Sequence, residues 1–475
     1  MVARSFYEPL LERDADGVPQ PNLLAEFETN EDHTEFVLDV RKGISFHDGE
    51  PLDAAAVVAN LGHLLRPSDD TEQLVEELLA EDESTVRIRL NRPHVAFADS
   101  LAGQAGLTGS PAAFEEARNA PVGTGPFEFT SWRRDQELVV TRNEDYWREG
   151  LPYLDEIVFR PIPDEEARWQ SLLAGDIDAL QSLRQSIVRR ARDRADDFNL
   201  FEHVGNESGG TIYNTNAPPL DDVRVRRAVA HALDREDLIA ALDGAGISPL
   251  AQGLFNPDSF WFDPQTAELW PDHDPDRARG YVEEYVSDPQ RSDGLATGAP
   301  VAFTVDTPPD PSLTETASVY QDQLLQVGID VSIRTVEQAV HIQEAIGEYP
   351  DFDGDFEAKF WRLGSDGDPD WMTVWFMPGS PINFTNFEDD EVVRLLLDAQ
   401  LTAVPEQRRE LYTGVMAVFA DQVPFTLSGH TVSSITTVPD LHGFDEWELP
   451  DGAAGVGHPG SQARWHQVWL DDPQR

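Results

Sequence analysis

Hydrophobic positions along the chain change their period several times, and each change marks an element. Phe36, Leu38 and Val40 alternate with polar residues from Thr34 onward, and Val86, Ile88 and Leu90 alternate with Arg87 and Arg89. A period of two predicts antiparallel strands with one wet face. Between them, Asp53 precedes Val57, Val58, Leu61, Leu64 and Leu65, the spacing of a capped amphipathic helix over 54–65. Tyr7–Leu11 is expected to be an element followed by a turn at Asp14–Gly17. Phe127, Phe129, Leu138 and Val140 alternate across a polar turn at 133–136, which predicts a β-hairpin.

Beyond the hairpin the pattern mixes periods. Ile157–Phe159 reads as a short strand stopped by Pro161 and Pro163. Asp164 then caps a helix carrying Ala167, Leu172 and Leu173, Gly175 ends it, and Asp176–Leu180 returns as a strand. A helical crossover predicts that these two strands are parallel. Val225, Ala228, Val229, Ala232 and Leu233 form one helical stripe behind Asp221 and Asp222, and Asp234 opens another helix. Val301–Val305, Ser312–Gln326 and Ile329–Ile333 give a second strand–helix–strand pattern. Trp465, Val468, Trp469 and Leu470 are expected to pack back on the first part of the chain. The fold class is therefore α/β.

A length of 475 residues leaves room for about three domains. The 88 acidic residues against 35 basic ones give a net charge of −53, and lysine occurs only at Lys42 and Lys359. Such a chain repels nucleic acid and anionic lipid surfaces, so nucleic acid is excluded as a partner. The acidic residues are spread along the sequence, as in a solvated coat, which is the balance of a halophilic protein. Self-repulsion is tolerable there because the Debye length falls to about 3 Å at 1 M salt. The absence of cysteine excludes disulfides and thiolate metal sites. No apolar run is long enough to span a membrane.

Most candidate chemistry fails on spacing. Gly123-Thr-Gly125 is followed by Pro126 and reads as a turn rather than a dinucleotide fingerprint. Asp351, Asp353 and Asp355 begin like a calcium loop, but Phe356 stands in the glycine position and Arg362 in place of the closing glutamate. The twelve histidines show no zinc-site spacing, and no nucleophile elbow accompanies the serines near His430. No catalytic residue, metal site or cofactor is expected.

Several linked stretches carry a resemblance: YEPLLERDADGVPQPNLLAEFE, VRKGISFHDGEPLDAAAVV, PVGTGPFEF, RNEDYW, PYLDEIVFRPIPD, AGDIDAL and YNTNAPPLDDVRVRRAVAHALDREDLI. Together they resemble the extracellular solute-binding proteins of family 5, which serve peptide, nickel and oligosaccharide ABC importers. The resemblance implies a two-lobed periplasmic-binding-protein-like fold (class II, cluster C) with an additional small β-rich domain. Residues 1–12, 152–240 and 431–475 would form lobe I, 13–151 the small domain II, and 241–430 lobe III. It also implies no enzyme activity, but capture of a peptide-like solute by lobe closure and delivery to ABC permease subunits by an extracytoplasmic monomer. Alternatives are an oligosaccharide or nickel complex as ligand, a ligand-sensing domain without transport, and a carboxylate hydrolase. The family's export signal is not in this sequence, so a truncated or misassigned N-terminus is expected.

The resemblance also points to a site. In the stretch Lys359 to Trp371, a tryptophan followed by an acidic glycine-bounded loop is similar to the segment that holds a peptide's α-ammonium in dipeptide- and oligopeptide-binding relatives. An aromatic face beside a carboxylate suits a cation. Aligned on Gly-Asp-Pro-Asp, this chain has one extra residue after Trp361, so Ser365 occupies the anchor's position and Asp366 falls one place later. The resemblance implies as ligand-binding residues Trp361, Arg362, Ser365, Asp366, Asp368, Asn206, Glu207, Ser208 and Asn383, with Asn386 in the same asparagine-bearing loop. Trp261, Phe262, Trp371 and Trp375 are candidates for side-chain subsites.

Overall fold

The alternating segments of the N-terminal part do pair. In the computed structural model, which describes residues 2–64, 74–347, 354–457 and 462–471, four strands form an antiparallel sheet. Their spatial order is Leu24–Thr29, Glu35–Val40, Thr85–Leu90, Val75–Ala80. Phe36, Leu38 and Val40 lie on the same buried face as Val86, Ile88 and Leu90, as a period of two requires. The helix Ala54–Leu64 joins the same core, its first turn capped by Asp53, which accepts from the Ala56 amide at 2.8 Å. Leu65 and the aspartates 351 and 353 lie outside the described residues.

The chain divides into two compact units. Unit one comprises Met1–Ser182, Arg190–His203 and Ser433–Arg475; unit two comprises Leu183–Arg189 and Val204–Val432. The long strands Asn199–Tyr213 and Phe425–Thr437 each carry the chain across a unit boundary.

Within unit one the hairpin Phe127–Arg133 and Glu137–Arg142 forms as expected. Its partner strand is a correction. Glu156–Phe159 pairs antiparallel with Glu137–Arg142, Leu138 opposite Phe159, and Ala179–Ser182 pairs antiparallel with Phe425–Thr437. The helix Glu165–Ala174 between them has its Asp164 cap and left-handed Gly175, so the local signals are real. The two strands end in different sheets because each meets an open edge elsewhere, one on the adjacent hairpin and one on a distant strand. Gly123 marks a close chain approach: a Cβ there would stand 1.8 Å from the Phe6 carbonyl oxygen. At the C-terminal end Trp465 and Val468 are buried, whereas Trp469 is partly exposed and stacks on His442.

In unit two, Val301–Thr307 and Ile329–Thr335 run parallel, joined by the helix Pro311–Leu325, in the order the sequence predicts. Ala358–Leu363 lies beside Val301–Thr307 and pairs antiparallel with the Ser208–Tyr213 segment. Neighbouring residues on a strand face opposite ways. Tyr213 accordingly enters a core with Val301, Val305 and Tyr320, while Ile212 enters another with Leu363, Met372 and Phe419. The sheet is covered on both faces.

Candidate ligand-binding site

The strand Ala358–Leu363 delivers the acidic loop Gly364–Asp370. Its first half is fixed by charge: Lys359, with no exposed side-chain surface, donates to Asp306 at 2.7 Å and Glu344 at 3.1 Å. Burial raises the Asp306 pKa, but hydrogen bonds from Arg334 and Lys359 outweigh it and hold the carboxyl below its usual range. Trp361 follows, opposite Gly210 on the neighbouring strand. Its indole stacks on His341 with centroids 5.4 Å apart and meets Phe384 edge-on at 5.0 Å. Phe384 continues to Trp375 at 5.6 Å and Trp375 to Trp371 at 5.6 Å, so a partly buried aromatic row runs beside the loop.

Asp366 sits across from this strand's partner. Its carboxylate accepts the Asn206 amide at 2.9 Å, and a Cβ on Gly205 would stand 2.8 Å from its oxygens, so residue 205 has to be glycine for this approach. Asn206 is held in turn by Asn256, whose backbone and side-chain nitrogens both donate to Asn206 Oδ1 at 3.0 Å. Glu207 pairs with the exposed Arg362 at 2.9 Å. Ser208 Oγ lies 2.9 Å from His430 Nδ1, with both residues fully buried. Burial pushes the His430 pKa down to about 4, against the pull of Asp366, so the ring is neutral near pH 7. His430 Nε2 has no hydrogen-bond partner among the described residues.

The structure thus brings Asn206, Glu207, Ser208, Arg362 and Asp366 together where the strand Ala358–Leu363 ends against the middle of the strand Asn199–Tyr213, with Trp361 beside Arg362 on the former. Ser365 is exposed at the loop tip, its hydroxyl donating to the Asp366 carbonyl. Asp368 is turned to Arg408, and Asn383 is buried, donating to the Phe387 carbonyl and accepting from Thr385. Asn386 reaches Asn214. Trp261 packs on Tyr412 and Phe262 lies against the same core, apart from the aromatic row. Sequence reasoning missed His341, Asn256 and Phe384; their roles depend on contacts from distant elements, and no local pattern signals them.

The sequence profile of the bacterial extracellular solute-binding proteins, family 5, matches residues 18–384. The chain belongs to this family. Among relatives of this family-5 chain, the glutathione-binding protein GsiB of Salmonella paratyphi A is 28% identical over 478 residues, 95% of this chain and 88% of that protein. Two solved structures share the fold. The PBP AgaA in complex with agropinic acid, from A. tumefaciens R10, superposes with a TM-score of 0.83 at 22% identity, covering 99% of this chain and 94% of that one. The oligopeptide-binding protein AppA of Bacillus subtilis, in complex with a nonapeptide, gives 0.82 at 21% identity over 99% and 94%. The fold is therefore the two-lobed α/β fold of family-5 binding proteins.

Proposed function

We propose that this family-5 chain is the substrate-binding component of an ABC importer and that its ligand is peptide-like, with Asp366 as the anchor for the ligand's ammonium group. The observation that carries this reading is the placement of Asp366, pinned to the Asn206 amide on the strand that faces Trp361's own strand. A carboxylate has about four acceptor positions, so a carboxylate that accepts a backbone amide can also accept from a cation. Trp361 supplies the flat wall, and the Glu207–Arg362 pair and Ser365 supply further polar contacts. Asn206 and Ser208 sit mid-strand opposite the loop; Asp368 and Asn383 hold the loops that carry the site.

The names of similar proteins favour a peptide, since GsiB is a glutathione-binding protein and AppA was solved with a nonapeptide. The reading makes ABC permease subunits the partners, an extracytoplasmic surface the location, a monomer the working form and binding rather than catalysis the task. A high-salt habitat accounts for the acidic coat. The small β-rich domain has support in its own core, which runs from Leu10 to Ala102 with Val122 and Trp147 packed against it. The three-part division into residues 13–151, lobe I and lobe III is proposed on that ground. The Ser208–His430 contact gives a hydrolase no footing, because both side chains are sealed from solvent. Calorimetry with mixed peptides and an oligosaccharide panel, on the unmodified chain and on Asp366→Asn, tests the reading. Peptide heat that weakens in the variant supports it, and sugar binding without peptide binding overturns it.

A further inference from the structure

Unit one holds a second polar recess, built where its first and last residues meet. About 330 Å³ of atom-free space, counting the part open to solvent, is lined by Arg4, Glu12, Arg148, Trp447, Arg464 and His466 among others. Glu12 bridges two arginines, accepting from Arg4 at 2.7 Å and from Arg464 at 3.0 Å. Arg148 reaches no carboxylate among the described residues. Its guanidinium donates to His466 Nε2 at 2.8 Å and to the Glu448 carbonyl at 3.0 Å. Arg464 lies over Trp447 at 5.0 Å, is 6% exposed, and its Nε is buried with no hydrogen-bond partner among the described residues.

The charges here do not balance. Three guanidiniums face one paired carboxylate, Glu12, and the only other carboxyl in the lining is Glu8. Burial pushes Glu8 up to about 7, outweighing its hydrogen bonds from Trp147 and Tyr146, so it contributes less than a full negative charge near neutrality. His466 is held neutral by burial and then by Arg148, Arg464 and Arg4, so all three cations act on one buried point. In a chain of net charge −53, an enclosed excess of positive charge stands out. A buried cation without a counter-charge is costly.

We propose that this recess is a binding site for a small monovalent anion such as chloride. A water would satisfy the Arg464 Nε–H but leave the charge excess in place; a halide does both. The site is separate from the loop that carries Asp366, and its occupancy does not rest on the peptide reading. In high salt even a weak site would be filled, and filling it stabilises the folded chain by mass action.

Crystals of the full chain grown with sodium bromide test this directly. An anomalous bromine peak among Arg148, Arg464 and His466 is expected, and its absence with bromide bound elsewhere on the molecule overturns the proposal in favour of water. Melting provides the second readout. At constant sodium and ionic strength, chloride in place of gluconate should raise the Tm by roughly 1–2 °C through occupancy, a difference lost in Arg464→Gln. A chloride effect of the same size in that variant would mean a general salt effect and would also count against the site.

Discussion

Arg408 grips Asp368 with both terminal nitrogens, at 2.5 and 2.7 Å, while its guanidinium lies 5.4 Å from the Trp261 ring and 5.6 Å from Tyr412. The two side chains are only 8% and 14% exposed, so the pair is a buried, bidentate clamp between the acidic loop and the helix Pro405–Gln422. Removing one partner leaves a buried charge uncompensated. Asp368→Ala should therefore destabilise unit two by about 3 kcal/mol in urea melts. Loss of less than about 1 kcal/mol would show that the clamp is solvated.

Asp366→Asn should act on binding rather than on folding. Asparagine still accepts the Asn206 amide, so stability should stay within about 0.5 kcal/mol. The lost charge-assisted bond is worth about 1.5–3 kcal/mol, or roughly ten- to a hundredfold weaker peptide binding by calorimetry. Unchanged peptide affinity would move the anchor elsewhere, Glu207 being next to examine.

Trp361→Ala removes a ring that stacks on His341 and abuts Phe384. Ligand affinity should fall for peptide and sugar alike, because the wall contributes contact area without regard to ligand charge. A panel in which neither ligand weakens would remove the aromatic row from the site.

Stability should respond to pH through Glu8. Its folded pKa of about 7 lies above the ordinary 4.5, so the folded state holds the proton more tightly than the unfolded chain does. That contribution is complete below about 4.5 and is lost as pH rises toward 7, up to about 3 kcal/mol in all. His430 works in the opposite sense. Pushed down to about 4 from 6.5, it costs stability as pH falls through that window. Urea melts from pH 4 to 8.5 should show Glu8→Gln losing the decline above pH 5 while keeping the acid-side loss. Parallel curves for the variant and the unmodified chain would refute the Glu8 assignment.

The acidic coat predicts a salt response. Exposed like charges repel over a Debye length that shrinks from about 30 Å at 0.01 M to about 3 Å at 1 M. The melting temperature should rise steadily between dilute buffer and molar potassium chloride. A flat profile would mean that the surface charge is already neutralised within the fold.

Local patterns and most pairings survived folding; one pairing did not. Asp164, Asp222 and Asp234 cap the helices they were expected to cap, since a cap involves residues two or three apart. The alternation at Phe36–Val40 and Val86–Leu90 gave its sheet because both segments bury one face. The partner of Ile157–Phe159 was not legible, because a short apolar strand fits any open edge and Leu138 across the hairpin won it. At the candidate site, the motif that proposes Trp361 and Asp366 puts them beside one strand pair in the fold. The resting places of Asp368 and Asn383 could not be read from it, since Arg408 and Phe387 are chosen by packing.

The way the chain threads its two units sets an order of completion during synthesis. Unit two is fully encoded by Val432, whereas unit one lacks Ser433–Arg475 until the end. Glu12 finds Arg464 across a separation of 452 residues, and Ser182 finds Ser434 in its strand partner only when that last segment leaves the ribosome. The parts of unit one that this segment completes, the Glu12–Arg464 pair and the edge of Ala179–Ser182, must therefore wait for it, while the unit made later finishes first. Loss of the final forty residues would then leave unit two competent and unit one open, an asymmetry that limited proteolysis of stalled nascent chains would reveal.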